Sequence, residues 1–443
     1  MRIVIAGAGE VGTHLAKMLS FEEQDIIVVD NDEKKLYNLD NYNLMTVQGS
    51  AVSFDVLKNL QVGMADIFIA VTPHETINVI ACSMAKSLGC KKAVARIDNY
   101  EFMKPASKKF FASYGIDSLI YPEYLAAQEI MTAMKHTWVR NWFEMLNGEL
   151  LVMGVKIRDN ARIVGHKLKD LRGISNYMHI NAIKRNREII IPGGDDEMLA
   201  NDIIYVATTP RNIDDVMRAC GKVKHTVERV LIMGGNEIVK QLATLIKGKY
   251  KVKILDSDLA RCQQLADELP DCNIVYYEAG NNDVFEEEGV EDYDVFVAMG
   301  DSSESNILSC VMAKELGMRK TIAQVENLQY INEAESLNIG TIINKKLIAS
   351  STIFQMMIDA DTDTAKCLAL ADAEVAELEV GAGAKVTKAP VKNLRLSRDM
   401  TIAGLVRNGV GQLVTGDTQL QAGDRVVVFC LSGAIHKIEK MFG

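Results

Sequence analysis

The sequence has few residues of the kinds that mark specialised architectures. Its 443 residues include only 7 prolines, 31 glycines and 2 tryptophans, which excludes a collagen-like or low-complexity chain. Apolar residues make up 48% and charged residues 24%, the composition of ordinary globular domains. At about 100 to 200 residues per domain, the length allows roughly two to four domains.

Long hydrophobic runs are also missing. The start, MRIVIAGAG, offers a short apolar stretch after one arginine, too little for the core of a signal peptide. No run approaches the roughly 20 apolar residues that a membrane span needs. We therefore expect a cytosolic chain.

Neither basic charge nor metal-binding cysteine motifs are abundant. The chain has 49 basic and 59 acidic residues, a net charge of −10, so we expect no nucleic acid partner. No C-x-x-C motif occurs, and no histidine stands at metal-ligand spacing, so we interpret the cysteines as reduced thiols. They stand at positions 82, 90, 220, 262, 272, 310, 367 and 430.

An internal repeat organises the chain. Residues 81–99 (ACSMAKSLGCKKAVARIDN) align without a gap with residues 309–327 (SCVMAKELGMRKTIAQVEN), and nine of the nineteen positions are identical. The same spacing of about 225 residues relates Gly7 to Gly234 and Asn78 to Asn306. The chain is therefore a tandem duplication, and the fold has to be interpreted half by half.

Each half divides again by its hydrophobic period. Short β-branched runs at 2–6, 26–30, 44–48, 66–71 and 92–97 alternate with segments of helical spacing, which predicts a doubly wound parallel sheet. After an amphipathic helix from Tyr121 to Lys135, shorter strand-like runs predict a small α+β lobe. The fold class is thus α/β, with two Rossmann-like lobes each followed by a small lobe. The predicted domains are 1–137, 138–224, 225–362 and 363–443.

A glycine-rich motif in the first large lobe predicts a dinucleotide site. Residues 7–12 (GAGEVG) follow a strand and open a helix, so backbone N–H groups and the helix N-terminus face an anion. Asp30 ends the second strand, where a carboxylate can hold ribose hydroxyls and repel a 2′-phosphate, which favours NAD(H) over NADP(H). The predicted binding residues of this motif are Gly7, Ala8, Gly9, Glu10, Val11, Gly12 and Asp30.

The second large lobe carries a degenerate motif. Residues 234–239 (GGNEIV) keep Gly234, but Asn236 and Val239 replace the second and third glycines. These side chains would crowd the phosphate approach and the packing of the helix on its strand. Asp256 remains at the expected spacing, so Gly234 and Asp256 are weaker candidates for nucleotide binding.

The fourth and fifth strands add further candidates. Val71 and Thr72 lie at the carboxyl end of the fourth strand, at the edge where ligands bind in open α/β sheets. Thr72 and Glu75 also fit a helix capping box, with Thr72 as N-cap. Arg96 ends the fifth strand and could meet a phosphate or a neighbouring lobe, or be a surface charge.

These motifs resemble a known family. GAGEVG with its later Asp, GSAVSFDVL, VTPHETIN and the small β-rich lobe resemble the RCK (or KTN) domains that regulate potassium transport. The tandem arrangement is similar to the cytosolic subunits of bacterial Trk-type uptake systems over essentially the whole chain. The resemblance implies binding of NAD(H), with ATP or ADP as alternatives, at the glycine loop, Asp30, Thr72 and Arg96. Gly49 and Ser50 join the site, although related chains often have an acidic residue at the position of Ser50.

The resemblance also implies partners and a location. Chains of this family form rings, here expected to be homotetramers, on the cytoplasmic face of a TrkH-like membrane potassium channel or transporter subunit, and the bound nucleotide gates ion flow. Family members that favour ATP can carry a basic residue in the glycine loop, whereas this chain has Glu10. We therefore expect NADH to bind more tightly than ATP.

Two other functions fit parts of the sequence. An NAD-dependent dehydrogenase would need a positioned acid or base, and His74 is the only histidine near the expected nicotinamide. A nucleotide-sensing scaffold for a different membrane protein is the second alternative. The helix at 121–135 and its repeat relative at 346–357 are candidates for assembly or for ordinary packing within the chain. We expect a regulatory protein and not an enzyme.

Overall fold

A computed structural model describes most of the chain. The described residues are 1–20, 24–171, 173, 176–186, 188–278, 283–361, 367–370, 373–394, 396–431 and 441–443.

The first large lobe is built on a parallel sheet of six strands. Its strand order is β3-β2-β1-β4-β5-β6, with crossovers that contain helices. Strands β1 and β4 are buried almost throughout, as expected where helices cover both faces of a parallel sheet. The elements are β1 (Arg2–Ala6), α1 (Glu10–Ser20), β2 (Asp25–Asp30), α2 (Glu33–Leu36), β3 (Met45–Gln48), α3 (Phe54–Asn59), β4 (Ile67–Ala70), α4 (Glu75–Ser87), β5 (Lys92–Arg96), α5 (Pro105–Ser113), β6 (Ser118–Ile120) and α6 (Pro122–Lys135).

The first small lobe is an antiparallel sheet of five strands in the order β10-β9-β11-β8-β7. Its core lies under β8 and β11, whose inward side chains pack with the following helix. The elements are β7 (Asn141–Met145), β8 (Leu150–Lys156), β9 (His179–Arg185), β10 (Glu188–Ile190), β11 (Ile203–Thr208) and α7 (Ile213–Ala219).

The second half repeats both architectures. Its large lobe has the parallel order β14-β13-β12-β15-β16-β17, and its small lobe has the antiparallel order β18-β19-β22-β20-β21. The elements of the large lobe are β12 (Arg229–Met233), α8 (Glu237–Ile246), β13 (Lys251–Asp256), α9 (Leu259–Glu268), β14 (Asn273–Tyr276), α10 (Val284–Glu287), β15 (Val295–Ala298), α11 (Ser303–Glu315), β16 (Lys320–Gln324), α12 (Ile331–Ser336), β17 (Thr341–Ile343) and α13 (Lys345–Asp361). The small lobe contains β18 (Cys367–Leu370), β19 (Ala373–Glu379), β20 (Met400–Arg407), β21 (Val410–Leu413) and β22 (Arg425–Leu431).

The predicted fold class is therefore confirmed. The five strands expected in the first large lobe are present within one or two residues, and the structure adds the short strand β6 that the sequence pattern did not indicate. The domain limits at 137 and 224 stay predictions, and the limit at 362 lies outside the described residues.

The chain forms two compact units that do not coincide with its two halves. The first unit contains residues 1–127 and 344–361, and the second contains 128–343 and 362–443. Helix α13, which belongs to the second half of the sequence, packs against α1 in the first unit. The candidate assembly helix at 346–357 is therefore engaged in packing within the chain.

Other sequence expectations concern helices and cysteines. Of the helices in the described part of the chain, none has the length and apolar character needed to cross a bilayer.

Seven cysteines are free thiols, six of them buried, and the side chain of Cys367 lies outside the described residues. Burial raises the pKa of Cys90 to about 11 and that of Cys220 to about 12, so both thiols are protonated near neutral pH.

Candidate nucleotide-binding site

Two glycines of the loop between β1 and α1 are required by local geometry. Gly7 has φ of 110°, and a Cβ built there would lie 3.0 Å from the backbone nitrogen of Thr72. A Cβ on Gly12 would lie 1.9 Å from the carbonyl oxygen of Gly7. Any side chain at Gly12 would therefore push α1 away from the loop, which is the packing role the sequence predicted.

Gly9 differs from these two because no packing explains it. Its φ is not in the left-handed region, and a Cβ built there would meet no atom of the described residues within 4 Å, its two chain neighbours aside. The residue stands directly before α1, where backbone N–H groups of the first helical turn lack partners within the helix. A missing side chain at such a point permits close approach of a phosphate.

Asp30 ties the glycine loop to the neighbouring strand ends. One carboxylate oxygen accepts a hydrogen bond from the backbone N–H of Ala8 at 2.7 Å, and the other accepts from Asp32 at 2.9 Å. The carbonyl oxygen of Asp30 accepts from Gly49 N–H at 2.9 Å. The half-buried carboxylate is thus fixed beside the loop, and each oxygen keeps a lone pair that a hydroxyl can use.

The turn after β4 is held by a residue that the sequence did not single out. The backbone N–H and hydroxyl of Thr72 both donate to Oδ1 of Asn78, at 2.9 and 2.7 Å. Nδ2 of Asn78 donates to the carbonyl oxygens of Thr72 at 3.0 Å and Arg96 at 2.9 Å. This fully buried amide therefore joins the ends of β4 and β5.

The predicted capping box at this turn is wrong. Helix α4 begins at Glu75, its N-cap is His74, and no side chain caps it. Thr72 is committed to Asn78. Oε2 of Glu75 accepts from the backbone N–H groups of Asp98 and Asn99, at 2.9 and 3.0 Å, and so fixes the loop after β5.

Arg96 lies in this edge of the sheet and is not a plain surface charge. Its side chain is 20% exposed, and Nη2 donates to Asp98 at 2.8 Å. Its Nε is buried and has no hydrogen-bond partner among the described residues. Burial raises the pKa of the Asp98 carboxyl, and the Arg96 guanidinium only partly opposes this. The guanidinium therefore keeps donor capacity for an additional anion.

Helix α13 brings two lysines toward the site. Lys346 forms an ion pair with Glu10 at the start of α1, and Lys345 pairs with Glu123 at 3.2 Å. The charge of Glu10, from which we predicted a preference for NADH over ATP, is therefore compensated. The preference stays a prediction with a weaker electrostatic basis.

The corresponding edge of the second large lobe is filled by its own side chains. Nδ2 of Asn236, at the position of Gly9, donates to Met299 O and Gln324 Oε1, both at 2.9 Å. Asp256, 2% exposed, accepts from Gly235 N–H at 2.6 Å and from Arg261 at 3.2 Å. Binding at Gly234 and Asp256 stays a prediction, and the geometry favours the first lobe.

The structure brings the predicted residues of the first lobe to one edge of one sheet. Val71 donates its N–H to Ala6 beside the loop, and Ser50 follows Gly49 and accepts from Val52 N–H at 3.4 Å. Sequence reasoning missed Asn78, although its recurrence as Asn306 was a usable signal. It also missed Lys345 and Lys346, which are more than 300 residues from the glycine loop. No group of three His, Cys, Asp or Glu side chains in the described residues could hold a metal ion.

Comparison with known families decides the classification. The TrkA-N domain matches residues 3–122 and 230–345, and the TrkA-C domain matches residues 152–221 and 375–443. The chain belongs to the TrkA family. The resemblance to tandem RCK-domain proteins is thereby confirmed, and the four TrkA matches reproduce the order large, small, large, small.

Relatives within the TrkA family match along the full length. The chain is 30% identical to a Trk system potassium uptake protein TrkA homolog of Archaeoglobus fulgidus, and 28% identical to TrkA homolog 2 of Methanosarcina mazei, each with 100% of both chains covered. Among solved structures, the GsuK channel bound to NAD has a TM-score of 0.57 at 14% identity, covering 100% of this chain and 78% of that one. At that identity, the likeness shows the fold alone.

Proposed function

We propose that the chain is a cytosolic regulatory subunit that binds NAD(H), or an adenine nucleotide, in its first large lobe. Binding changes the arrangement of the chain and so gates a membrane potassium transporter of the Trk type. The names of the TrkA relatives and the NAD-bound GsuK channel support the potassium and nucleotide parts. The observation that carries the proposal is the open space at Gly9, beside Asp30, in the described residues. In the second large lobe, the side chain of Asn236 stands at the corresponding position and bonds to Met299.

The residues at this edge fit a dinucleotide. The glycine loop and the first turn of α1 would hold the pyrophosphate, because their N–H groups and the helix dipole favour negative charge. Asp30 would accept from ribose hydroxyls, and its charge disfavours a 2′-phosphate. Arg96, with its buried Nε, would supply a further donor.

A route from the site to the rest of the chain follows from connectivity. Helix α1 begins in the glycine loop and packs against α13, whose Lys346 pairs with Glu10. Both ends of α13 continue directly into the second compact unit, at residues 343 and 362. A ligand with different affinity for two positions of α13 shifts the equilibrium between them, typically by about 1–3 kcal/mol per site. In a ring of identical chains such terms add.

Replacing Gly9 with valine tests the proposal. The chain has room for this side chain, so the fold should be kept, whereas the space for a phosphate is lost. We expect NADH affinity, measured by calorimetry, to fall at least about 100-fold, since a phosphate bound by several N–H groups is displaced. Potassium flux through a co-expressed TrkH-like subunit should then no longer respond to NADH.

The matched control is Gly193→Val, another glycine with room for a side chain, where a Cβ would meet only Asp196 Oδ2 at 3.7 Å. This variant should bind NADH like the parent. Unchanged NADH binding in Gly9→Val would reject the site. Lost binding with unchanged flux regulation would instead favour the scaffold for another membrane protein. Among the described residues, His74 is exposed and is the N-cap of α4, which gives the dehydrogenase alternative no support.

A further inference from the structure

A cavity in the second compact unit has seven lysine and arginine side chains among its lining residues. Its volume is about 650 Å³, and its walls come from the first small lobe, the segment after α7 and the second large lobe. Two carboxylates also line it, Asp294 and Glu315, and Asp294 already accepts from two backbone N–H groups. One of the seven, Arg319, contacts Nδ1 of His225 at 3.0 Å. The other six cations are Arg140, Lys156, Arg158, Lys222, Lys314 and Lys320.

Three of these cations have no partner among the described residues. In the described part of the structure, no hydrogen bond or ion pair engages the side chains of Lys156, Arg158 or Lys222. Arg140 donates from Nη2 to Asn338 Oδ1 at 2.9 Å, but its Nη1 is buried and unpartnered among the described residues. An unpartnered buried donor is costly, so the guanidinium is well placed for a ligand that the chain itself does not supply.

The other two cations are held by neutral oxygen atoms only. The ammonium of Lys320, 4% exposed, donates to Val139 O at 2.8 Å and to Thr341 Oγ1 at 2.9 Å. Lys314 donates to Asn338 O at 2.5 Å. These contacts satisfy donors without neutralising charge, and the nearby carboxylates Glu129 and Glu335 offset the charges of Lys320 and Arg140 only in part. Positive charge therefore accumulates here in a chain whose net charge is −10.

The internal repeat shows that the charge is specific to the second lobe. In the first lobe, Lys86 is the counterpart of Lys314, and it pairs with Asp117 at 3.0 Å. By strand register, Ser118 on β6 corresponds to Thr341 on β17, so Asp117 corresponds to Gly340. The carboxylate that neutralises the lysine in one lobe is thus absent from the other.

The cluster works against the stability of the chain. Burial and the neighbouring cations lower the pKa of Lys156 and Lys314 to about 8 and that of Lys320 to about 7. Each group is therefore harder to protonate in the fold than in water. A bound anion would remove both the repulsion and part of the desolvation penalty.

We propose that this cavity binds a small molecule carrying two or more phosphate groups. Arginine and lysine are the side chains that recognise phosphate, and cations on several walls of one cavity favour a ligand with more than one anionic group. A volume of about 650 Å³ lies within the range of small-molecule sites. The cavity contains none of the glycine-loop residues, so this proposal is independent of the proposed nucleotide site in the first large lobe.

Tripolyphosphate binding to the full chain tests the inference. The variant Lys156→Gln/Arg158→Gln/Lys222→Gln removes three charges that have no partner among the described residues. No described carboxylate therefore loses an ion-pair partner. We expect its tripolyphosphate affinity, measured by calorimetry, to fall at least about 100-fold, because several charge-assisted bonds are lost. Without ligand, its melting temperature should rise above that of the parent, because like-charge repulsion is relieved. Gly9→Val should bind tripolyphosphate at this cavity as the parent does.

A second triple variant, Lys58→Gln/Lys104→Gln/Lys388→Gln, removes the same formal charge from exposed lysines and should leave affinity within about twofold. Equal affinity in the cluster variant and the parent would overturn the proposal. Loss of all binding in Gly9→Val would assign the polyphosphate to the glycine loop and overturn it too. So would inorganic phosphate binding as tightly as tripolyphosphate. A lower melting temperature in the cluster variant would show that the cations are structural.

Discussion

At the scale of single residues, the buried amide of Asn78 fixes the sheet edge at which the first large lobe is proposed to bind its ligand. Asn78 uses both of its polar atoms to join Thr72 with Arg96, through four hydrogen bonds between 2.7 and 3.0 Å. In the second lobe, Asn306 joins Gly300 with Gln324 in the same way. The same hydrogen-bond arrangement is therefore present in both lobes, although their loops before the first helix differ.

We predict that Asn78→Ala reduces both stability and NADH affinity. The substitution leaves the N–H of Thr72 and the carbonyl oxygens of Thr72 and Arg96 without partners, which costs about 2–4 kcal/mol of unfolding free energy. Because the turn at Thr72 then loses its position, NADH affinity should fall at least about tenfold. Urea unfolding and calorimetry measure the two effects.

The repeat supplies the control for this prediction. Asn306→Ala breaks the corresponding network in the second large lobe, so it should lower the unfolding free energy by a similar amount. In that lobe the side chain of Asn236 stands where the first lobe has the open position of Gly9. NADH affinity should be unchanged. If Asn306→Ala weakened NADH binding as much as Asn78→Ala, the effect would be general destabilisation and not loss of a binding edge.

The residues of the site were only partly predictable. Gly7, Gly12 and Asp30 follow from the spacing of strand, turn and helix, because these constraints are local in sequence. The predicted capping role of Thr72 was wrong, because a capping box considers only the three residues after the N-cap, whereas Thr72 bonds to Asn78, six residues further along the chain. No spacing rule could show that Lys346 pairs with Glu10, since packing of distant elements decides it.

At the scale of elements, the contact of α13 with α1 connects the proposed ligand site with the second half of the chain. The ion pair between Lys346 and Glu10 lies at the start of α1. Glu10 is 67% exposed, so the pair itself adds little to stability. Its effect on a nearby anionic ligand is larger, because it removes one negative charge from the first turn of the helix.

We predict that Lys346→Gln increases the preference for NADH over ATP. The variant leaves the Glu10 carboxylate uncompensated, and repulsion grows with the number of phosphate charges. ATP affinity should fall by about threefold to tenfold more than NADH affinity, while the melting temperature changes little. Calorimetric titration of both nucleotides at low salt measures the difference, since salt screens it.

Glu10→Gln is the complementary variant. It removes the carboxylate from the same pair, so we expect ATP to gain affinity relative to NADH. Equal responses of the two nucleotides in both variants would show that this pair does not set the preference.

The parallel strands and helices of this lobe were predictable from the hydrophobic period of the sequence. The packing partner of α13 was not predictable, because an amphipathic pattern shows that a face is buried and not what covers it.

At the scale of the whole molecule, charge distribution matters more than net charge. From the net charge of −10 we expected no nucleic acid partner, yet six cations from distant parts of the sequence line one cavity. Composition averages over the chain, and only the fold shows which charges meet. The absence of a carboxylate at Gly340, where the first lobe has Asp117, was visible in the repeat but had no meaning without the sheet register.

The cluster predicts a pH dependence of stability with a definite sign. Burial lowers the pKa of Lys320 to about 7, and the charges of Arg140, Lys314 and Lys222 add to this effect. The carboxylate of Glu129 partly opposes it. Between that value and the ordinary lysine pKa of about 10.5, the unfolded state binds a proton that the folded state does not, so the unfolding free energy rises with pH. Below pH 7, both states are protonated and the fold carries the full penalty of the buried charge.

Lys320→Met should therefore gain most over the parent at low pH. We expect the difference in unfolding free energy between variant and parent to be largest at pH 6.5 and to shrink steadily toward pH 10, in urea titrations without phosphate. Lys92→Met, at the exposed repeat counterpart, measures the general effect of the substitution. A constant difference across this range would mean that Lys320 titrates normally. Tripolyphosphate should reduce the pH dependence of the parent, because a bound polyanion favours the protonated lysine and so restores its affinity for protons.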